Sequence, residues 1–233
     1  MRAPSAFRWF TAVSPPPAPL AAVLAVLAAG AAALEVVDRG SSDWVLASIA
    51  LIQIFGASTG FTRHASRGYY DPVLVGRNRV PLALAHFSAS AAPGAAAWVA
   101  CGAAQAIAAR SAAVPAFRPA GWATLLLVST IPWAASLRAA PLAAGALWLL
   151  LSVSLVVSGR ILEPLARLHA QPGWAMEHPA AALGLGLAFP LLIPSIRWPG
   201  AVLIAFAAIA ALALLCGVLV IVRAGFPLAE EGA

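Results

Sequence analysis

The chain has no lysine. All 14 of the basic positions counted as Lys plus Arg in its 233 residues are Arg. Without lysine there is no G-x-x-x-x-G-K-[ST] phosphate loop and no Schiff base, so ATP hydrolysis by that route and imine chemistry are excluded. Charge of either sign is scarce. Charged residues make up 9% of the chain, where a soluble protein carries roughly 25%, and 62% of the chain is hydrophobic with a mean hydropathy of +0.92. A soluble domain of this size leaves about a quarter or more of its surface exposed, which is too much to cover with so few polar side chains. A lipid bilayer tolerates such a composition. Cysteine is nearly missing as well. Cys101 and Cys216 each sit in an apolar run and read as small hydrophobes, not as a disulfide or a metal pair.

The formal charge of +6 is no nucleic-acid footprint, since Arg at the ends of membrane spans accounts for it, and no nucleic-acid partner is expected. The Ala- and Arg-rich, lysine-free composition is that of a GC-rich coding sequence and points to a bacterial source. The expected fold class is therefore an all-α integral membrane protein of a bacterial inner (cytoplasmic) membrane. Residues 1–233 form a single transmembrane domain, with no internal repeat and no domain boundary.

A span needs about 20 apolar residues. Runs of that kind cover Ala18–Val37, Trp44–Phe61, Pro81–Ala109, Pro119–Leu137, Ala140–Ser158 and Ala201–Val222. Arg2 and Arg8 would suit a cleaved signal peptide, but the run after them is long enough to span, so the first helix is read as uncleaved. A seventh run, Pro179–Ile196, contains Gly184, Gly186, Pro190 and Pro194. Each Pro removes a backbone donor, and broken backbone at membrane depth survives only where protein or water shields it. The reading is six transmembrane helices plus a re-entrant or kinked hairpin before the last span. Orientation follows from the link between the second and third spans. It carries Arg63, Arg67, Arg77 and Arg79 against Asp71, whereas the preceding link holds Glu35, Asp38, Arg39 and Asp43. Positive charge stays inside, which places loop 62–80 and the N-terminus in the cytoplasm. The side of the C-terminus depends on whether the seventh run crosses.

Loop 159–178 is read as external and amphipathic. Ile161, Leu162, Leu165 and Leu168 recur at helical spacing beside Arg160, Glu163 and Arg167, the pattern of a short helix lying in the interface. A helix cap on the outer rim of the bundle is a simpler role for it than a substrate gate.

Sites for chemistry are sparse. Glu177-His178 lacks the second His of a zinc motif, and His64, His86 and His169 are scattered, each reading as a solvated or interfacial side chain. Gly56-Ala57-Ser58-Thr59-Gly60 resembles the G-x-S-G motif of rhomboid intramembrane proteases. Thr59 spoils the spacing, and no later span carries a His at depth to act as base. The small residues serve equally well to let helices approach closely. The clear spans hold no charge at their centres. Gln53 and Gln105 are the main polar side chains there, so ion-coupled transport is disfavoured.

Loop 62–80 is the informative segment. Asp71-Pro72 is a helix start, with Asp as the cap and Pro at the first helical position. Val73, Leu74 and Val75 form an apolar patch, Gly76 a stop, and Arg77-Asn78-Arg79 a basic turn before Pro81. This arrangement resembles the coupling helix of the membrane subunit of type-2 ABC exporters. Gly68 matches that family's glycine, Val73-Leu74 its apolar turn, and Arg77 or Arg79 the basic residue after the break. The family often has a Glu upstream, where this chain has Arg63, His64 and Arg67. More distantly, the run from Pro190 to Pro194 resembles the haem-exporter membrane subunit of cytochrome c maturation.

The resemblance implies a permease subunit of an ATP-driven exporter that is not an enzyme by itself. ATP hydrolysis would come from separate ABC ATPase subunits docking at Gly68, Asp71, Pro72, Val73, Leu74, Arg77 and Arg79. It also implies a second permease chain, identical or similar, and no cofactor held by this chain, with ATP and Mg²⁺ bound in the partner ATPase. The alternatives are an ordinary positive-inside connector whose Arg residues merely fix topology, a non-transporting assembly or anchoring subunit of a larger complex and, remotely, a rhomboid-like serine protease.

Overall fold

The computed structural model describes residues 44–57, 79–138, 162–171 and 173–223, together with the single positions 8, 26, 29 and 30. The described residues are 88% helical, with no strand among them. In chain order they form α1 (Trp44–Ala57), α2 (Arg79–Ala109), α3 (Pro119–Ser136), α4 (Leu162–Ala170), α5 (Trp174–Glu177), α6 (Pro179–Ala188) and α7 (Gly200–Arg223). Two short 3-10 turns, Pro115–Phe117 and Pro190–Ser195, precede α3 and α7. The expected runs at 18–37 and 140–158 lie outside the described residues, apart from Val26, Ala29 and Gly30.

Two helices, α2 with 31 residues and α7 with 24, are long and apolar enough to cross a bilayer. At about 1.5 Å rise per residue, both exceed a hydrocarbon core of roughly 30 Å. The outward surface of α7 matches that length. Ile204 is 72% exposed, and Leu212, Leu215 and Leu219 are exposed on the same helix, while Val202, Phe206, Ala210, Gly217 and Ile221 are buried. Both faces are apolar, which in water would leave a large unpaid hydrophobic area and in lipid leaves none.

The central helix is α3. It packs against α1, α2 and α7 and against both 3-10 turns. It begins directly after a turn because Pro119 at its first position has a preset φ and needs no donor partner. Its polar groups turn back onto their own helix. Thr124, Ser129 and Thr130 donate to the carbonyls four residues earlier at 2.9, 2.7 and 2.7 Å, so their hydroxyls are satisfied where no water reaches.

Contacts fix the helix directions. Gly102 of α2 lies against Ala116 and Phe117 just before α3, and His86, near the start of α2, bonds Trp133 near the end of α3, so the two helices are antiparallel. Arg79 opens α2 and donates from Nη1 to the Val222 carbonyl at 3.2 Å, so α7 ends where α2 begins. We call this end the base, and the end holding Ala109, Pro119 and Gly200 the rim.

The stretch from Pro179 to Ile196 is not one helix. Gly184 and Gly186 lie inside α6, contrary to the expectation that they break it. The break comes at Phe189 (φ −124°, ψ 63°), because the ring of Pro190 pushes the preceding residue out of the helical region. Ala182, Leu185, Phe189, Ile193 and Ile196 cluster with Ala120 and Ala123 of α3 and Val202 and Phe206 of α7. All of these partners belong to the rim half of the bundle. Gly186 allows the fit, since a Cβ there would run into the Phe206 ring.

α4 is amphipathic as the spacing predicts. Leu168 is buried, while exposed Glu163 and Arg167 pair across one turn.

Candidate functional site: the interlocked base of the bundle

Four helix ends meet at the base. α1 finishes at Ala57, α2 starts at Arg79, α3 finishes at Ser136 and α7 finishes at Arg223. The cluster that joins them is made of Ala57, Leu82, Ala83, Ala89, Trp133, Leu137 and Ile221. Small residues on α2 let the other helices close in, and Leu82, His86 and Ala89 share its inner face at spacings of four and three.

Polar bonds lock the cluster. Trp133 donates its indole N–H to His86 Nδ1 at 2.9 Å, both side chains being buried. An indole N–H can only donate, so His86 Nδ1 is the acceptor of this bond. The Trp133 ring also meets Phe87 edge to face at 5.2 Å between centroids, and it fills the space a side chain at Gly217 would need. Ser136 Oγ lies 3.2 Å from the Ala57 carbonyl and 2.8 Å from that of Trp133, and its hydroxyl hydrogen joins α3 to the last residue of α1. A second lock lies deeper. Gln53 of α1 donates to Ser129 Oγ at 3.2 Å, and its side chain lies directly over Gly94 of α2.

His86 corrects the sequence-based expectation. It is not solvated or interfacial; at 2% exposure it is a packed core group. Its environment offers it to an indole instead of a serine, so the base does not assemble a hydrolytic pair from the described residues. Ser58 of the G-x-S-like string lies outside them. His178 is placed at the other end of the bundle, exposed, with its ring stacked on Trp174 at 5.0 Å.

Of the docking residues implied by the resemblance, Gly68, Asp71, Pro72, Val73, Leu74 and Arg77 lie outside the described residues. Arg79 is described, is exposed, and uses its guanidinium to tie α2 to α7. Nothing local in the sequence marks the His86–Trp133 pair, because 47 residues separate the partners. The available signal was that each partner is a polar-tipped side chain within an otherwise apolar run. No protein-family profile, curated protein or solved structure matches the chain.

Proposed function

We propose that this chain is the membrane permease subunit of an ATP-driven exporter, with hydrolysis supplied by separate ATPase subunits that dock on loop 62–80. The observation that carries this reading is the interlocked base. The chain leaves α1 at Ala57 and re-enters α2 at Arg79, and these two residues are bonded to α3 and α7 respectively. A force applied to the segment between them is therefore delivered to all four helices at once. A loop that merely connected two spans would not require its two anchors to be tied to the rest of the bundle.

Two further features support the reading. The end of α7 shares the base with the start of α2, which suits a broken Pro179–Ile196 segment that enters and leaves on one side of the membrane. On this reading the C-terminus is cytoplasmic and that segment is re-entrant. The scarcity of charge inside the bundle also fits a path for an amphipathic or hydrophobic substrate driven by an external motor.

The test is purification of the chain with its ATPase. Changing Val73→Ala together with Leu74→Ala removes five side-chain carbons from the proposed contact. At roughly 0.8 kcal/mol each, their full burial against the ATPase would make the double change weaken docking by about 4 kcal/mol, several hundredfold. Membrane insertion and protein level are expected to hold while the ATPase or the coupling of hydrolysis to transport is lost. A double variant that retains a full ATPase complement and transports normally would make the loop a connector and favour the anchoring-subunit alternative.

A further inference from the structure

We propose that the rim binds the phosphate headgroup of an anionic phospholipid beside its two 3-10 turns. This rests on the membrane reading and is independent of the exporter reading. The two turns, Pro115–Phe117 and Pro190–Ser195, touch each other. Arg118 follows the first turn directly, Arg197 lies two residues beyond the second, and Arg110 opens the loop that carries the first. All three are exposed. Arg118 Nη2 donates to the Ala113 carbonyl at 3.3 Å, which steadies one guanidinium at the rim. The guanidinium groups of Arg110 and Arg197 meet no carboxylate among the described residues. Of the two described acids, Glu163 pairs with Arg167, and Glu177 is exposed at the end of α5.

The positive-inside rule gives no reason for three such arginines at the end away from loop 62–80. A phosphate does, because the planar guanidinium presents two parallel N–H groups to its oxygens. The N-termini of α3 and α7 also lie at this end of the bundle and add partial positive charge there. The surface just below the arginines fits the rest of a lipid. Trp122, 42% exposed, stacks on Phe117 at 6.4 Å, and Leu126, 45% exposed, follows one turn further along α3. On α7, Ile204 stands 72% exposed one turn below Gly200. Headgroup chemistry above and acyl-chain chemistry below are the two halves of a phospholipid, and a free phosphate would use only the upper one.

The experiment places the full chain in bilayer discs of phosphatidylcholine containing a minor fraction of phosphatidylglycerol and counts retained lipids by native mass spectrometry. Preferential retention of phosphatidylglycerol is expected. Arg110→Gln with Arg197→Gln should weaken it roughly twenty- to thirtyfold, about fivefold for each Arg near an anionic surface. Arg138→Gln with Arg223→Gln, at the base, should leave it unchanged. Glycerol phosphate added in solution should compete poorly. No preference in the wild-type chain, equal loss from rim and base variants, or efficient displacement by glycerol phosphate would each overturn the proposal. A chain that fails to insert into bilayers would overturn the membrane reading and the lipid site with it.

Discussion

Trp133 and His86 form a buried donor–acceptor pair at 2.9 Å that joins α3 to α2, and the same indole ring occupies the notch left by Gly217 on α7. One side chain thus holds three helices in register at the base. Replacing Trp133 by Phe removes the donor that His86 Nδ1 accepts from in a buried cluster, at a cost of about 1–3 kcal/mol. His86→Leu removes the acceptor at a similar cost. The double variant should cost less than the two singles added together, by about 0.5–1.5 kcal/mol. Thermal unfolding of the four proteins in one detergent checks this, and strict additivity would mean that the bond is not energetically coupled.

Gly94 offers a test in which two effects of opposite sign compete. Ala in place of a helical Gly ordinarily gains up to about 1 kcal/mol. Here the added methyl would collide with the Gln53 side chain, and overpacking of this kind costs about 1–3 kcal/mol. The clash should win, so Gly94→Ala is expected to lower the unfolding temperature. Adding Gln53→Ala should restore part of the loss by vacating the space. A Gly94→Ala protein as stable as the wild type would place Gln53 elsewhere.

Arg110 ends α2 with φ 49°, a left-handed conformation that suits glycine. The backbone bonds there, Arg110 N to the Ile107 carbonyl at 3.2 Å and Ser111 N to the Ala106 carbonyl at 3.0 Å, close the helix whatever the side chain. Arg110→Gly should therefore stabilise the protein by about 1 kcal/mol in a neutral detergent, since a β-carbon costs about 1–2 kcal/mol in that region. Arg110→Val should do the reverse. An unfolding temperature that moves the same way in both variants would refute this account.

Helix directions make a topological prediction. In a background with Cys101→Ala and Cys216→Ala, single cysteines at Ser111 and Gly173 should react with an impermeant thiol reagent from outside intact cells. Cysteines at Arg138 and Arg223 should react only after the membrane is opened. Labelling of Ser111 and Arg223 from the same side would contradict the antiparallel pairing of α2 and α7.

Much of the helical plan was readable from the residues alone. Apolar runs bounded by Pro119 and by Arg223 locate α3 and α7 to within one residue, because a helix facing lipid or other helices must be apolar along its whole length. The partition of α4 into a buried Leu168 and an exposed Glu163–Arg167 pair follows from spacing in the same way. The Pro179–Ile196 run was readable as broken but not where, since Gly184 and Gly186 are tolerated inside a helix and only the ring of Pro190 forbids its continuation. Which polar groups matter was decided by tertiary structure. His86, Trp133, Gly94, Gln53 and Gly217 acquire their roles from partners tens of residues away, on helices whose rotation about their own axes no local pattern specifies. When every face of a helix is apolar, the hydrophobic pattern no longer says which face turns inward, and close packing of small residues against large ones makes that choice.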